Sequence, residues 1–227
     1  MATKKKEIKE DTTMVSGEVI QLKTYEARIK NLTGHSLLMD KMPESVSQEK
    51  GEKEVRKADK VKDQKDNFRD KIYKDDENTV YLSKIAIQAS MFRGAGWWEE
   101  KVFGNVKMAT LIKASSAVST YYNYLKWSPE SEDYISADDD KILCFPSVVK
   151  KKNGDSIFVA RPQFMTWSLT FRFDCFDPRV DIGSFEKVLK YAGYYVGLGA
   201  WRPNFGRYEL LSLREVPMAE TIEDIGI

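Results

Sequence analysis

A helical apolar rhythm near the end of this chain runs directly into a glycine-framed loop and then into a strand. The rest of the fold must accommodate that connection. Phe185, Val188, Leu189, Ala192 and Tyr195 recur at helical spacing. Gly197, Gly199 and Gly206 then frame Trp201, Arg202, Pro203 and Arg207, and a strand pattern follows from Tyr208 to Arg214. Glycine allows positive φ and, lacking a Cβ, lets the backbone approach another group closely. Main-chain amides beside Arg202 and Arg207 would suit a phosphate, since a guanidinium forms paired donor contacts with its oxygens. Trp201 would offer a stacking face to a base. Equally, such a segment can be a tight turn with a buried tryptophan and solvated arginines. The dinucleotide-binding glycine fingerprint does not apply, because it follows a strand and opens a helix.

Charge balance limits the partners. The 227 residues hold 36 Lys and Arg against 35 Asp and Glu, so any nucleic-acid contact must be a local patch. Aromatic residues reach 12% in an otherwise polar chain, which favours stacking and packing surfaces. His35, Cys144 and Cys175 are too few for a familiar structural zinc site, and we expect no metal and no cofactor. The cysteines read as buried thiols in a reducing cytoplasm. No apolar run approaches the ~20 residues of a membrane span, and the lysine-rich start lacks the apolar core of a signal peptide.

In chain order, residues 1–16 read as a flexible arm, 17–216 as one domain and 217–227 as an acidic tail. Tyr25, Ala27 and Ile29 alternate with Glu26, Arg28 and Lys30 in a strand spanning 18–31. Residues 43–77 form a charged insertion with few apolar positions. Ser83 caps a predicted helix over 84–92, which ends in Arg93 and Gly94. Residues 97–140 read as a helical insertion, with helix over 107–125. Strands follow at 141–150 and 163–174, joined through a basic turn at Lys150, Lys151 and Lys152 whose Asn153-Gly154 pair supplies positive φ. Between them Ser156 to Ala160 returns from the turn, and Arg161-Pro162 breaks that run before 163. Ser184 caps a helix over 184–195, and a strand over 205–214 closes the domain.

The order is βαββαβ, which predicts an α+β, ferredoxin-like (RRM-like) core: an antiparallel sheet with helices on one face, plus insertions. The open face of such sheets often binds single-stranded RNA. Fold alone does not fix function.

Three segments carry a family likeness: Thr33-Gly34-x-Ser36-Leu37-Leu38, then Ser83 with Gln88-Ala89-Ser90-Met91-Phe92-Arg93-Gly94-Ala95, then Gly197-Leu198-Gly199-x-Trp201-Arg202-Pro203-x-Phe205-Gly206-Arg207-Tyr208-Glu209. Together they resemble the RAMP (repeat-associated mysterious protein) superfamily, in particular the CRISPR effector backbone subunits and related phage and prophage proteins. The resemblance runs from Glu18 to Arg214. It implies a ferredoxin-like core, RNA contact and side-by-side stacking of copies into a filament. It assigns Gly197, Gly199, Gly206 and Arg207 to the RNA-contacting glycine loop, with Arg93 and Gly94 at the helix end facing the strand. It places Lys150, Lys151 and Lys152 on a hairpin packed on RNA or on the next subunit. Arg161, Trp201 and Arg202 complete the expected nucleic-acid surface.

Some relatives cut RNA with a histidine or with an acid after the first strand, positions held here by His35 and Asp40. A histidine near neutral pKa can activate a 2′-hydroxyl. Three functions are therefore weighed: a non-catalytic single-strand-binding protein that oligomerises along RNA or DNA, a metal-independent endoribonuclease using His35, and a phage structural or inhibitory module built for protein contacts.

Overall fold

The computed structural model describes residues 14–15, 18–19, 22–41, 57–99, 101–150 and 154–217. In chain order its main elements are Lys23–Asn31 (β1), Leu37–Leu38 (β2), Lys57–Asp66 (α1), Tyr81–Ser83 (β3), Lys84–Ala95 (α2), Met108–Ser115 (α3), Ser116–Val118 (β4), Tyr122–Lys126 (β5), Leu143–Lys150 (β6), Ser156–Phe164 (β7), Ser168–Cys175 (β8), Ile182–Tyr191 (α4) and Tyr208–Val216 (β9). The protein is a mixed α+β structure. Its main sheet has six antiparallel strands in the order β9-β1-β8-β5-β3, with β4 pairing β8 beside β5. A second sheet, β6-β7-β2, stands apart from it.

Alternation along β1 and β8 decides which face is covered. Tyr25, Ala27 and Ile29 pair across the ladder with Phe173, Phe171 and Leu169, and all six are buried. Phe185 of α4 packs on Tyr25 and Phe173 at ring separations of 5.2 and 4.8 Å. Helix α2 adds Ile87, Met91 and Ala95 to this core. The expected start of α2 holds: the Ser83 hydroxyl accepts from the Ala86 amide at 3.3 Å. The helix runs to Ala95, one turn beyond the sequence estimate.

Two elements exchange places relative to the sequence reading. The 141–150 strand does not enter the main sheet; as β6 it pairs only with β7. Its expected position beside β8 is taken by β4 and β5, part of the stretch read as helical over 107–125. The helix stops at Ser115, where the Ser115 and Ser116 hydroxyls donate back to the Leu111 and Ile112 carbonyls at 2.7 and 2.5 Å, a contact that weakens a helix end. Beyond it, Tyr122 and Tyr124 point one way while Asn123 and Leu125 are fully buried the other way. That period of two belongs to a strand. A buried Asn at an inward position conceals it in the sequence; its Nδ2 is satisfied by the Leu82 and Thr120 carbonyls.

Smaller shifts accompany this exchange. The predicted 163–174 strand breaks at 165–167 into β7 and β8, and the last strand is displaced to 208–216. Asp181, not Ser184, caps α4: its Oδ1 accepts from the Ser184 amide at 2.8 Å. In the charged insertion, residues 57–77 carry α1 and dock on the second sheet, where Lys71 Nζ donates to the Ala160 carbonyl at 2.8 Å. Of the arm, Met14–Val15 pairs antiparallel with Glu18–Val19; its residues 1–13 and 16, residues 43–56 and the tail from 218 lie outside the described residues, as do Lys151 and Lys152.

On the sheet face away from the helices, Glu26 accepts from Arg172 Nε at 2.9 Å and from Arg214 Nε at 3.0 Å. Burial alone would raise the Glu26 pKa, but these two guanidinium contacts outweigh it and hold the carboxyl below its ordinary value of 4.5. A carboxyl with a lowered folded-state pKa takes up its proton more readily when unfolded, so its contribution is lost as pH falls. We expect Glu26→Gln to lower stability by roughly 1–3 kcal/mol at neutral pH. The difference from wild type should shrink as pH drops below about 4.5. Thermal melts of both proteins across pH check this; a difference independent of pH would contradict it.

Candidate nucleic-acid interface

Close packing brings the end of α2 onto the glycine loop. A Cβ on Gly94 would lie 2.5 Å from the Ala192 Cβ, so only glycine permits this crossing of α2 and the turn after α4. The buried Ser90 hydroxyl donates to the Gly197 carbonyl at 2.9 Å and locks the two elements together.

Arg93, Trp97, Lys113, Tyr195, Arg202 and Pro203 then line one groove of about 450 Å³. Trp97 and Tyr195 stack at 4.8 Å with planes 28° apart, and both are more than half exposed. Among the described residues, none of Arg93, Lys113 and Arg202 has a carboxylate partner. Burial, and then the nearby charge of Arg93, lower the pKa of Arg202 from its ordinary value. Arginine stays charged at neutral pH nonetheless. The groove thus holds three cations without a counter-charge, beside two open ring faces.

The remaining expected site residues fall elsewhere. Arg161 is an internal residue, only 6% exposed. Its Nε donates to Asp40 at 2.9 Å, its second terminal nitrogen lies 2.8 Å from the same oxygen, and its Nη1 donates to Ser147 at 3.1 Å. Its guanidinium also lies over the Trp201 ring, 4.8 Å from the centroid. Trp201 therefore gives one face to Arg161, and it meets Phe145 at a near-perpendicular angle and Phe205 at a tilt. Arg207 Nε folds back onto the Pro203 carbonyl at 2.9 Å. Burial withdraws Arg161 from the expected nucleic-acid surface, while Trp201 stays 39% exposed and Arg207 makes its one side-chain bond among the described residues through Nε.

The amides follow the same pattern. Gly197, Leu198, Ala200 and Gly206 donate to Ala192, Gly206, Leu38 and Ser36 at 2.7–2.8 Å. Gly197, Gly199 and Gly206 all have positive φ and meet neighbouring backbone, not open space. The loop is sewn onto the 36–38 segment and does not offer these four amides to a phosphate. His35 Nδ1 lies 3.3 Å from the Asn204 carbonyl oxygen, and Asp40 is engaged by Arg161. Lys150 is exposed at the end of β6.

Sequence reasoning named Arg93, Gly94 and Arg202 and missed Trp97, Tyr195 and Lys113 as groove residues. The Arg93-Gly94-Ala95-Gly96-Trp97 run was visible as a second glycine, arginine and aromatic cluster. Nothing local in the sequence marks Lys113, which reaches the groove from α3. Among the described residues, no three His, Cys, Asp or Glu side chains gather as a metal site would require, and no helix is long and apolar enough to cross a membrane.

No protein-family model matches the sequence, and no curated protein matches it either. Among solved structures, the chain is distantly similar to a chain of the Type III-B Cmr-beta complex bound to cognate target RNA. The identity is 14% and the TM-score 0.42, over 86% of this chain and 61% of that one. This chain therefore matches less than two thirds of that chain's length.

Proposed function

We propose that the protein binds single-stranded nucleic acid, RNA before DNA, through the groove between the end of α2 and the glycine loop. It does so without cutting the strand, and copies align along it. One observation carries this reading: Arg93, Lys113 and Arg202 converge on a single groove with no carboxylate partner among the described residues, beside the exposed Trp97–Tyr195 stack. Like charges held together and partly buried favour an anion that relieves their repulsion. Phosphates supply that anion, and ring faces beside them suit bases. In a chain of net charge +1 this local patch answers the requirement set by composition.

The fold reading that goes with this function is RAMP-like. What supports a ferredoxin-like reading is the succession β1, α2, β4–β5, β8, α4, β9, with the last strand beside the first and the first beside β8.

Three phosphate contacts on a single strand give a log–log salt slope of about −2. We expect wild-type protein to bind a labelled oligouridine with such a slope. Arg93→Ala combined with Arg202→Ala should weaken binding by roughly 2–6 kcal/mol, at about 1–3 kcal/mol for each charge-assisted contact, and flatten the slope toward −0.7. The strand should remain intact on a denaturing gel after incubation. Equal affinity in wild type and variant, or affinity insensitive to salt, would overturn the proposal; strand cleavage abolished by His35→Ala would overturn its non-catalytic part.

A further inference from the structure

A second concave surface lies on the helix-free face of the main sheet, a groove of about 780 Å³. It shares no lining residue with the Arg93 groove. Strands β1, β8 and β5 form its floor, and the segment carrying Pro129 and Tyr134 forms a wall.

The charged groups of this floor are already engaged. Glu26 accepts from Arg172 and, from outside the groove, from Arg214, and Asp174 accepts from the Thr24 hydroxyl at 2.8 Å. Arg28 donates through one terminal nitrogen to the Pro129 carbonyl at 2.9 Å. Lys126 donates to the Ser131 carbonyl at 3.0 Å and lies over the Tyr134 ring. What the groove leaves to a ligand is chiefly ring surface.

Tyr122, Tyr124 and Tyr134 of the groove form a row, with Tyr81 edge-on at its end outside the groove. Tyr81 meets Tyr122 at 4.7 Å, Tyr122 lies 6.0 Å from Tyr124 with planes 20° apart, and Tyr124 meets Tyr134 at 5.1 Å. Tyr122 is 41% exposed and Tyr134 is 54% exposed. The Tyr124 hydroxyl is pinned to Asp75 at 2.8 Å, and that bond pushes its pKa up to about 12, so it stays neutral. A row of ring faces already held in place loses little conformational freedom on binding. Spare donors on Arg28 and Lys126 stand at its edge. Flat aromatic ligands joined by anionic links match this combination, and nucleobases on a phosphate backbone are such ligands.

We infer that the tyrosine row on the helix-free face is a base-stacking site, where bases of a single strand lie on Tyr122 and Tyr134 with their phosphates toward Arg28 and Lys126. This goes beyond the phosphate-gripping groove and does not depend on it. One site would read charge, the other ring surface.

The test compares a labelled oligouridine with an abasic strand of equal length, by fluorescence anisotropy of the full chain at one salt concentration. Tyr122→Ala with Tyr134→Ala should weaken oligouridine binding about ten-fold or more and leave the abasic strand unaffected. Tyr122→Phe with Tyr134→Phe should retain wild-type affinity, because the rings remain. Arg93→Ala with Arg202→Ala should weaken both strands, so the two sites fail separately. If the alanine pair binds oligouridine as wild type does, or loses both strands equally, base stacking at this face is overturned. Free uridine monophosphate binding as tightly as the strand would overturn the assignment to a polynucleotide. Loss of self-association without loss of strand binding would make the face a protein interface and overturn it too.

Discussion

Gly206→Ala is expected to destabilise the protein by about 2–5 kcal/mol, read as a fall in the urea midpoint at unchanged slope. Gly206 has φ +73°, and a Cβ built there would lie 1.8 Å from the Leu198 carbonyl oxygen. Two effects add. A left-handed backbone costs an L-residue about 1–2 kcal/mol, and forcing an extra methyl into packed backbone adds about 1–3 kcal/mol. The neighbouring atoms cannot yield, because the Leu198 amide donates to the Gly206 carbonyl at 2.8 Å and the Gly206 amide donates to Ser36 at 2.8 Å. Gly34→Ala is the matched control. Its φ is +83° and nothing lies within 4 Å of the added Cβ, so only the backbone term applies, about 1–2 kcal/mol. Equal losses in the two variants would show that Gly206 is not packed against the Leu198 backbone across the loop.

Asp40→Ala is expected to cost about 3 kcal/mol, because it strands the Arg161 charge in the interior. The Arg161 side chain is 8% exposed, and its remaining neighbours, the Ser147 hydroxyl and the Trp201 ring, supply no counter-charge. Removing both charges, with Asp40→Ala and Arg161→Met together, should restore most of that stability, since an apolar pair of similar volume replaces an ion pair at little net cost. Urea titration of the three proteins decides it; a double variant as unstable as Asp40→Ala alone would place the damage in packing instead of charge. The folded double variant should also bind oligouridine as wild type does. A loss of affinity there would return Arg161 to the nucleic-acid surface from which its burial removes it.

Arg161 and Arg93 illustrate what local reading can and cannot resolve. Both sit beside a residue that breaks regular structure, Pro162 in one case and Gly94 in the other, and both read as exposed cations. Their fates differ through distant partners. Asp40 lies 121 positions before Arg161 in the chain yet within ion-pair distance of it, whereas no carboxylate among the described residues reaches Arg93. Trp201 and Trp97 divide in the same way. Each follows a glycine-rich run, but Arg161 covers one face of Trp201 while Trp97 stacks on Tyr195 and stays 58% exposed. The strand at 122–126 was hidden because its inward positions are Asn123 and Leu125, and a polar inward residue breaks the apolar alternation on which strand recognition rests.

From the residues alone came the elements whose burial follows a local period: β1 and β8 with their alternating apolar positions, α2 behind its Ser83 cap, α4 before the glycine loop, and the placement of that loop between helix and strand. Local period and capping act over a few residues, so a short window of sequence contains their physical cause. Tertiary structure alone decided which strand flanks β8, which arginines keep a free charge, and which tyrosines form a row on the open sheet face. Those outcomes depend on distances through space between residues far apart in the chain, and electrostatic pairing and ring stacking respond to that distance and not to sequence separation.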